Sequence, residues 1–591
     1  MIRARFDDLT PGRERSFELT EPVGVLEARR ADEVAPTIAA AEGAASRGLW
    51  AAGFVAYEAA PGLDGDLAVR EREPHDAFGD LPLAWFALFA EKVDVAGLQP
   101  PASASTSPGG MPWRASTHLE EYKQAVERIR ELIAAGQTYQ VNHTIRLRAQ
   151  VGGDERGLYR DLALAQRGGH AAYLNIGRYR VLSASPELFV RVDASRVTTR
   201  PMKGTAPRGR WLDEDEHVAA LLVASEKDRA ENAMIVDLLR NDLGRIARAG
   251  TVEVSRMFEP ERYETVWQLT STVAADVEPG ATLVDVFRAL FPSGSVTGAP
   301  KVSTMRIIRD LEDSPRGVYC GAVGYVAPDG SGEPRANFSV AIRTVVLDSQ
   351  TGIAEYGVGG GITYDSSPQA EYREILAKAR VLSSARPAFE LLESIRFEPD
   401  EGFRQLPEHL ERLRASARYF GFRFDAEAAV AACKHAVEDA AEPVRIRLTL
   451  ARDGTLDFTT SGIEPDPERR VRVAIDHEPV DPDDVFLFHK TTLRAPYERR
   501  RAKRPDVDDV LLVNTRGEVT ESTIANLAVR SGDRWVTPPI DAGLLPGAYR
   551  EVLLRDGRLT ERRVTIDELA RADDLALVSS VRRWRPAEVV G

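Results

Sequence analysis

The regular patterning of this 591-residue chain stops once and starts again. A helix opens at Ser367-Pro368, an N-cap residue followed by proline at the first helical position, and its periodicity runs to about Leu382. Ser383-Ser384-Ala385-Arg386-Pro387 then has the composition of a short linker, and Phe389 to Phe397 opens like a new strand. A boundary near residue 386 divides the chain into regions 1–385 and 386–591. At 100 to 200 residues per domain, such a length holds roughly three or four structural units. A second stretch rich in Pro, Ser and Gly, residues 96–115, separates an N-terminal segment, 1–95, from the core of the first region, 116–385. Both belong to one domain on this reading.

Beyond that stretch Thr117 and Glu120 have the spacing of a capping box, and Tyr122, Ala125, Val126, Ile129, Leu132 and Ile133 follow at helical spacing. Gly136 ends the helix, and Tyr139 to Leu147 reads as a strand.

Composition limits the function classes. Lys and Arg number 77 against 91 Asp and Glu, a net charge of −14 with no basic stripe, which argues against nucleic-acid binding. No run of about 18 uncharged apolar residues occurs and the first residues lack a signal-peptide core, so a cytoplasmic enzyme with no membrane contact is expected. Cys320 and Cys433 are too few for a disulfide framework and lack metal-knuckle spacing.

Three features of the first region carry chemistry. Lys203 sits in the Pro/Gly-bounded turn Arg200-Pro201-Met202-Lys203-Gly204-Thr205; nucleophilic work would require its pKa to fall from about 10.4. Asp228 and Glu231 on one helix, and Glu371 and Glu374 on another, are paired three residues apart and could hold a hard cation such as Mg²⁺. Gly359-Gly360-Gly361 could cradle an anion with backbone N–H groups. Taken singly, each has a plainer reading: a solvated lysine, exposed helix acids, a tight strand connection.

In order along the chain, Gly136 to Asn142, Ser185-Pro186-Glu187, Arg200 to Thr205, Asp228 to Asp242, Pro292 to Lys301, Tyr319 to Tyr325, Ala341 to Thr344 and Gly359 to Glu374 resemble the chorismate-utilising enzymes, the family of anthranilate synthase and aminodeoxychorismate synthase large subunits. The resemblance spans about residues 120–385 and implies an α/β (α+β) chain whose first domain is a large antiparallel-sheet sandwich with helices. It implies that Glu231, Glu371, Glu374 and Asp228 serve Mg²⁺, that Tyr319, Arg343 and the Gly359, Gly360 and Gly361 amides bind a chorismate carboxylate, that Glu187 protonates the departing C4 hydroxyl, and that Thr205 lines the ring pocket. Members that activate water carry a lysine at the position of Gln140. Lys203 resembles the aminodeoxychorismate synthases, where lysine attacks ring C2 and ammonia then adds at C4. Gln268 departs from relatives that place a histidine near the leaving hydroxyl. Neither cysteine lies in a glutaminase pattern, so a separate glutamine amidotransferase, or free ammonium, would supply the ammonia.

The second region carries His409 to Ala417, Phe488-His489-Lys490-Thr491, Asp509 to Leu527, and Gly543 to Arg550. This order resembles the fold-type IV pyridoxal-phosphate enzymes and implies a smaller two-lobed α+β domain. Lys490 would carry the cofactor as a Schiff base, and Glu521 would pair with its ring nitrogen. Arg412, the helix start at Gly547-Ala548, and Ser580 would take its phosphate. With the upstream domain, this implies a lyase that releases pyruvate to give 4-aminobenzoate, a step of folate biosynthesis. The alternative is an anthranilate synthase large subunit fused to an aminotransferase-like or catalytically silent module. A homodimer through the second domain stays open.

Overall fold

The computed structural model describes residues 2–73, 76, 78–100, 112–329, 334–382, 388–463 and 469–590. The Ser383 to Pro387 linker, with the boundary near 386, and most of the 96–115 stretch lie outside the described residues. The chain forms two compact units, Met1–Arg208 with Ala219–Pro387, and Gly209–Val218 with Ala388–Gly591. A cut near 386 alone puts the short Gly209–Val218 segment in the first region. Packing groups it with the second unit: the Trp211 ring lies 5.2 Å from that of Phe488, and the Tyr419 hydroxyl donates to the Gly209 carbonyl at 2.7 Å.

In the first unit one antiparallel ladder runs through the strands Gln140–Gln150, Ile353–Ile362, Thr344–Asp348, Tyr179–Ser185, His170–Asn175, Arg3–Asp8 and Arg15–Ala28. It continues through Ala84–Asp94, Trp50–Val55, Ala322–Ala327, Arg335–Val340, Leu188–Asp193, Arg196–Arg200 and Val266–Asp276. Val346, Val181 and Leu174, from the third to fifth strands of that ladder, meet Trp85, Phe54 and Val323, from the eighth to tenth, in one buried cluster, so the sheet folds over itself as a sandwich. The N-terminal segment supplies four of these strands and is therefore integral to the domain.

Helices cover both outer faces. Leu119–Ala134 and Pro368–Ala379 bury Tyr122, Val126, Ile129 and Ile375 on one side; Glu226–Gly244 buries Ile235, Val236 and Leu239 on the other. The first of these starts one residue later than its capping-box spacing suggests. His118 is the N-cap and its N–H donates to Glu121, while the Thr117 hydroxyl is drawn instead to Asp313 at 3.2 Å. Gly136 takes the left-handed conformation, φ 72°, that ends the helix. The following strand begins at Gln140.

In the second unit, Leu391–Glu398, Gly402–Phe403, Val444–Leu450 and Leu456–Gly462 form a small antiparallel sheet. Six further strands, Val519–Ser522, Asp509–Val513, Val471–Ile475, Arg583–Val589, Asp574–Ser579 and Asn526–Ser531, close into a ring because the first also pairs with the last. Val473, Leu511, Leu527 and Leu577 fill it. Among the described residues no helix is long and apolar enough to cross a membrane.

Candidate active sites

A cavity of about 350 Å³ in the first unit is bounded by the strands Met202–Pro207, Val266–Asp276 and Ile353–Ile362 and the helices Glu226–Gly244 and Pro368–Ala379. Lys203, Glu187, Thr205, Tyr319, Arg343, Gly359, Gly360, Gly361, Asp228, Glu231, Glu371 and Glu374 all line it.

Lys203 is on a strand, not in a turn: Met202–Pro207 pairs with Val266–Asp276, and the register shifts between Met202 and Thr205. At that bulge Gly204 has φ 94°, which re-aims the neighbouring side chain. Burial lowers the Lys203 pKa, and Lys378 adds to the effect against the opposing charges of Glu231, Glu374 and Glu187. Gln140 is buried beside it, its Oε1 without a hydrogen-bond partner.

Glu187 is 3 % exposed, and burial pushes its carboxyl up to about 7. The Ser295 hydroxyl donates to Glu187 Oε1 at 2.6 Å. Across the cavity, Gln268 Nε2 donates to the Thr205 hydroxyl at 3.4 Å, leaving Gln268 Oε1 unpartnered.

The glycine run is a strand edge rather than a turn. Gly359 lies opposite Thr144, yet Thr144 gives its N–H to Glu312 and Gly359 accepts from Lys378 at 2.9 Å. The polar groups of Gly359, and by alternation those of Gly361, therefore point away from the neighbouring strand, whereas those of Gly360 are spent in the ladder. Gly360 contributes space: a Cβ there would meet Glu371 Oε2 at 3.3 Å.

Gly357 gives Tyr319 its place, since a Cβ would come within 2.2 Å of the ring. The Arg146 guanidinium sits 5.4 Å from the Tyr319 ring centroid. Beneath both, Arg316 and Arg146 hold buried Glu312 at about 2 against the pull of desolvation. Arg343 adopts a left-handed backbone, φ 54°, an uncommon conformation for a residue with a Cβ, and its guanidinium donates to the Lys378 carbonyl.

The four acids face one cavity without forming a cage; among the described residues no group of three or more His, Cys, Asp or Glu could hold a metal ion. The Asp228 carboxylate accepts the hydroxyl of Ser225, the N-cap of its helix, and Glu374 pairs with Lys378 at 2.7 Å. Glu371 accepts the Ser366 hydroxyl at 2.8 Å and Glu231 lies 4.0 Å from Lys227, yet burial raises both carboxyls. Lys378 and Ser295 went unnoticed in the sequence. Lys378 follows Glu371 and Glu374 at helical spacing on the same face, a signal present in the sequence; Ser295 lies within Pro292 to Lys301, where no neighbouring residue marks its role.

The second unit holds a cavity of about 610 Å³ lined by Lys490, Glu521, Arg412, Gly547, Ala548 and Ser580 among others. Burial lowers Lys490 to about 8, helped by the Arg412 charge, and raises Glu521 to about 8. Arg412 Nε and Nη2 donate to Glu393 at 2.9 and 2.6 Å, and Nη1 donates to the Pro546 carbonyl at 2.9 Å, one residue before the N-cap Gly547 of helix Ala548–Arg555. Asn526 Nδ2 donates to Glu521 at 3.2 Å and to the Leu545 carbonyl at 2.8 Å. Its Oδ1 would lie 2.0 Å from a Cβ at Gly547, so only glycine fits there. Glu393 and Asn526 are further polar groups that the sequence did not single out.

A family profile described as chorismate binding enzyme matches residues 9–384, and one described as Amino-transferase class IV matches residues 390–590. The chain is 38% identical over 386 residues to an aminodeoxychorismate synthase of Streptomyces griseus, covering 59% of this chain and 52% of that protein. It is 38% identical over 273 residues to anthranilate synthase component 1 of Aquifex aeolicus (strain VF5), covering 46% and 54%. The chain thus spans about half the length of these curated relatives. The solved structure of anthranilate synthase component I from Streptococcus pneumoniae TIGR4 matches 62% of this chain and 92% of its own, with TM-score 0.53 and 27% identity.

Proposed function

The chain belongs to the chorismate binding enzymes, and on that premise we propose that it converts chorismate to 4-aminobenzoate: amination at C4 with ammonia in the first unit, then loss of pyruvate from 4-amino-4-deoxychorismate in the second. One observation carries this: Lys203, with its pKa lowered by burial, lines the same cavity as Glu187, whose carboxyl keeps its proton up to about 7. The first can attack and the second can protonate. Lys203 Nζ bonds to C2 as the C4–O bond breaks, and the Glu187 proton leaves with that oxygen as water. Ammonia then bonds to C4 and the lysine departs. Gln140, which has no basic group, leaves water unactivated. Tyr319, Arg343 and the N–H groups of Gly359 and Gly361 bind carboxylate, and Thr205 lines the ring pocket.

Mg²⁺ suits Glu231 and Glu371, whose burial a cation would relieve, with Glu374 and Asp228 in reserve beside their own partners. A cation held by one or two carboxylates, substrate oxygens and water needs no preformed cage. It would supply positive charge against the substrate carboxylate.

Pyridoxal phosphate suits the second cavity on the donor set present: a lysine near 8, a buried carboxyl, and a guanidinium tethered beside a helix N-terminus. The bound cofactor supplies an electron sink. Lys490 anchors it and later moves the proton from C4 of the substrate ring. Glu521 holds the ring nitrogen; Arg412, the Gly547-Ala548 amides and Ser580 hold the phosphate.

Cys320 and Cys433 are buried, and burial pushes both thiols up to about 11, so neither is a ready glutaminase nucleophile. We take the ammonia to come from a separate glutamine amidotransferase in the cytoplasm, or from free ammonium. Incubating the purified protein with chorismate, ammonium, Mg²⁺ and pyridoxal phosphate should yield 4-aminobenzoate. Anthranilate as the product overturns the first step; 4-amino-4-deoxychorismate that accumulates unchanged overturns the second.

A further inference from the structure

Two serines stand behind Glu187 in a place that the reaction above leaves without a task. Ser293 and Ser295 flank Gly294 at the short turn Gly294–Val296, and both are buried, at 5 % and 6 % exposure. The turn is fixed by contact, because a Cβ on Gly294 would lie 2.3 Å from Leu238 Cδ2, and by the Thr297 hydroxyl, which donates to the Ser293 carbonyl at 3.0 Å. The two hydroxyl oxygens are 2.9 Å apart, and Ser295 is 2.6 Å from Glu187 Oε1. Ser295 has one proton, given to Glu187, so the proton between the serines belongs to Ser293.

We propose that this Ser293–Ser295 pair positions the general acid: it holds Glu187 Oε1, turns Oε2 toward the departing hydroxyl, and stabilises the carboxylate left when the proton has gone. The inference rests on Glu187 acting as that acid. In the transfer the Glu187 proton joins the C4 oxygen, which leaves as water, and the negative charge remaining on Glu187 meets the Ser295 O–H. The other groups facing this carboxyl are the Lys203 side chain, the Met202 N–H and, more remotely, the Tyr263 phenol.

The test is kcat/KM for chorismate against pH, at a fixed concentration of free ammonia, in wild type, Ser295→Ala and Ser295→Thr. Activity requires protonated Glu187, so it is lost as pH rises through that group's pKa. Removing a hydrogen bond that favours the charged form should carry the alkaline limb upward by about one pH unit and lower the plateau about tenfold, while threonine keeps the wild-type limb. An alanine limb that stays in place, or a threonine limb that moves as far as alanine's, overturns the positioning role. A wild-type profile with no alkaline limb overturns the general-acid assignment itself. Infrared titration of the carboxyl band that Glu187→Gln removes reads the same shift without turnover: the band should persist to higher pH in Ser295→Ala, and an unmoved band refutes the inference.

Discussion

Gly361 leaves no room for a side chain on the face that Lys203 occupies: a Cβ there would stand 2.5 Å from Lys203 Nζ and 2.1 Å from Gln140 Nε2. The proposed nucleophile and the Gln140 amide are thus packed against one bare Cα. Gly361 serves twice, by lacking a Cβ and by turning its backbone polar groups to the free edge of its strand.

Gly361→Ala tests that packing. Both displaced groups are ends of flexible side chains, so folding should suffer by less than about 1 kcal/mol. Lys203 cannot keep its place, and amination of chorismate should fall at least about tenfold. Release of pyruvate from supplied 4-amino-4-deoxychorismate should be untouched. Full amination activity in this variant would show that Lys203 works from elsewhere.

Lys203→Ala should abolish amination, a loss of about a thousandfold or more, and again spare the second step. Lys203→Arg should be as inactive, because a guanidinium stays protonated in proteins. Product analysis with each substrate separates the two steps; equal loss of both would make the lysine structural.

The same residues show what a sequence can carry. The motifs around Lys203, Glu187, Glu371 and Lys490 were legible because each combines a reactive group with turn or cap residues, and they do line two cavities. The backbone around them was less legible. Pro201 and Gly204 read as a turn, but Pro201 only separates two strands, and pairing of Met202–Pro207 with Val266–Asp276 absorbs Gly204 as a bulge. Gly359 to Gly361 likewise read as a loop, because the partner that makes them a strand, Gln140–Gln150, lies far back in the chain. Ser295, Lys378, Glu393 and Asn526 escaped notice for a related reason. Each takes its role from a contact across the fold or along a helix face, and no single short motif announces it.

Glu187→Gln should separate stability from function. Burial raises the native carboxyl to about 7 from 4.5, so between these values the native state binds more protons than the unfolded one. The wild type therefore loses stability as pH rises through that window. Glutamine removes the loss: thermal unfolding should show the variant level with wild type near pH 4 to 5 and more stable above pH 7, by on the order of 3 kcal/mol. Amination should be abolished. A variant less stable than wild type at pH 8 would mean that the native carboxylate is well compensated.

Lys490 makes the corresponding statement for the second unit. Only the neutral amine can bond to pyridoxal phosphate, and burial with the Arg412 charge lowers this lysine to about 8 from 10.5. Its neutral fraction grows about tenfold between pH 7 and pH 9 and then saturates, whereas an ordinary lysine would still be gaining tenfold per pH unit there. Mixing the cofactor-free protein with pyridoxal phosphate and following the absorbance of the attached cofactor should give an attachment rate that levels off above about pH 9. Lys490→Ala should show no attachment. Arg412→Gln should weaken cofactor binding by about tenfold or more and, by removing a neighbouring positive charge, move the plateau to higher pH. Those two effects distinguish the arginine's roles: phosphate contact alone would change affinity and leave the pH profile where it was, while the charge acting on Lys490 shifts the profile even at saturating cofactor.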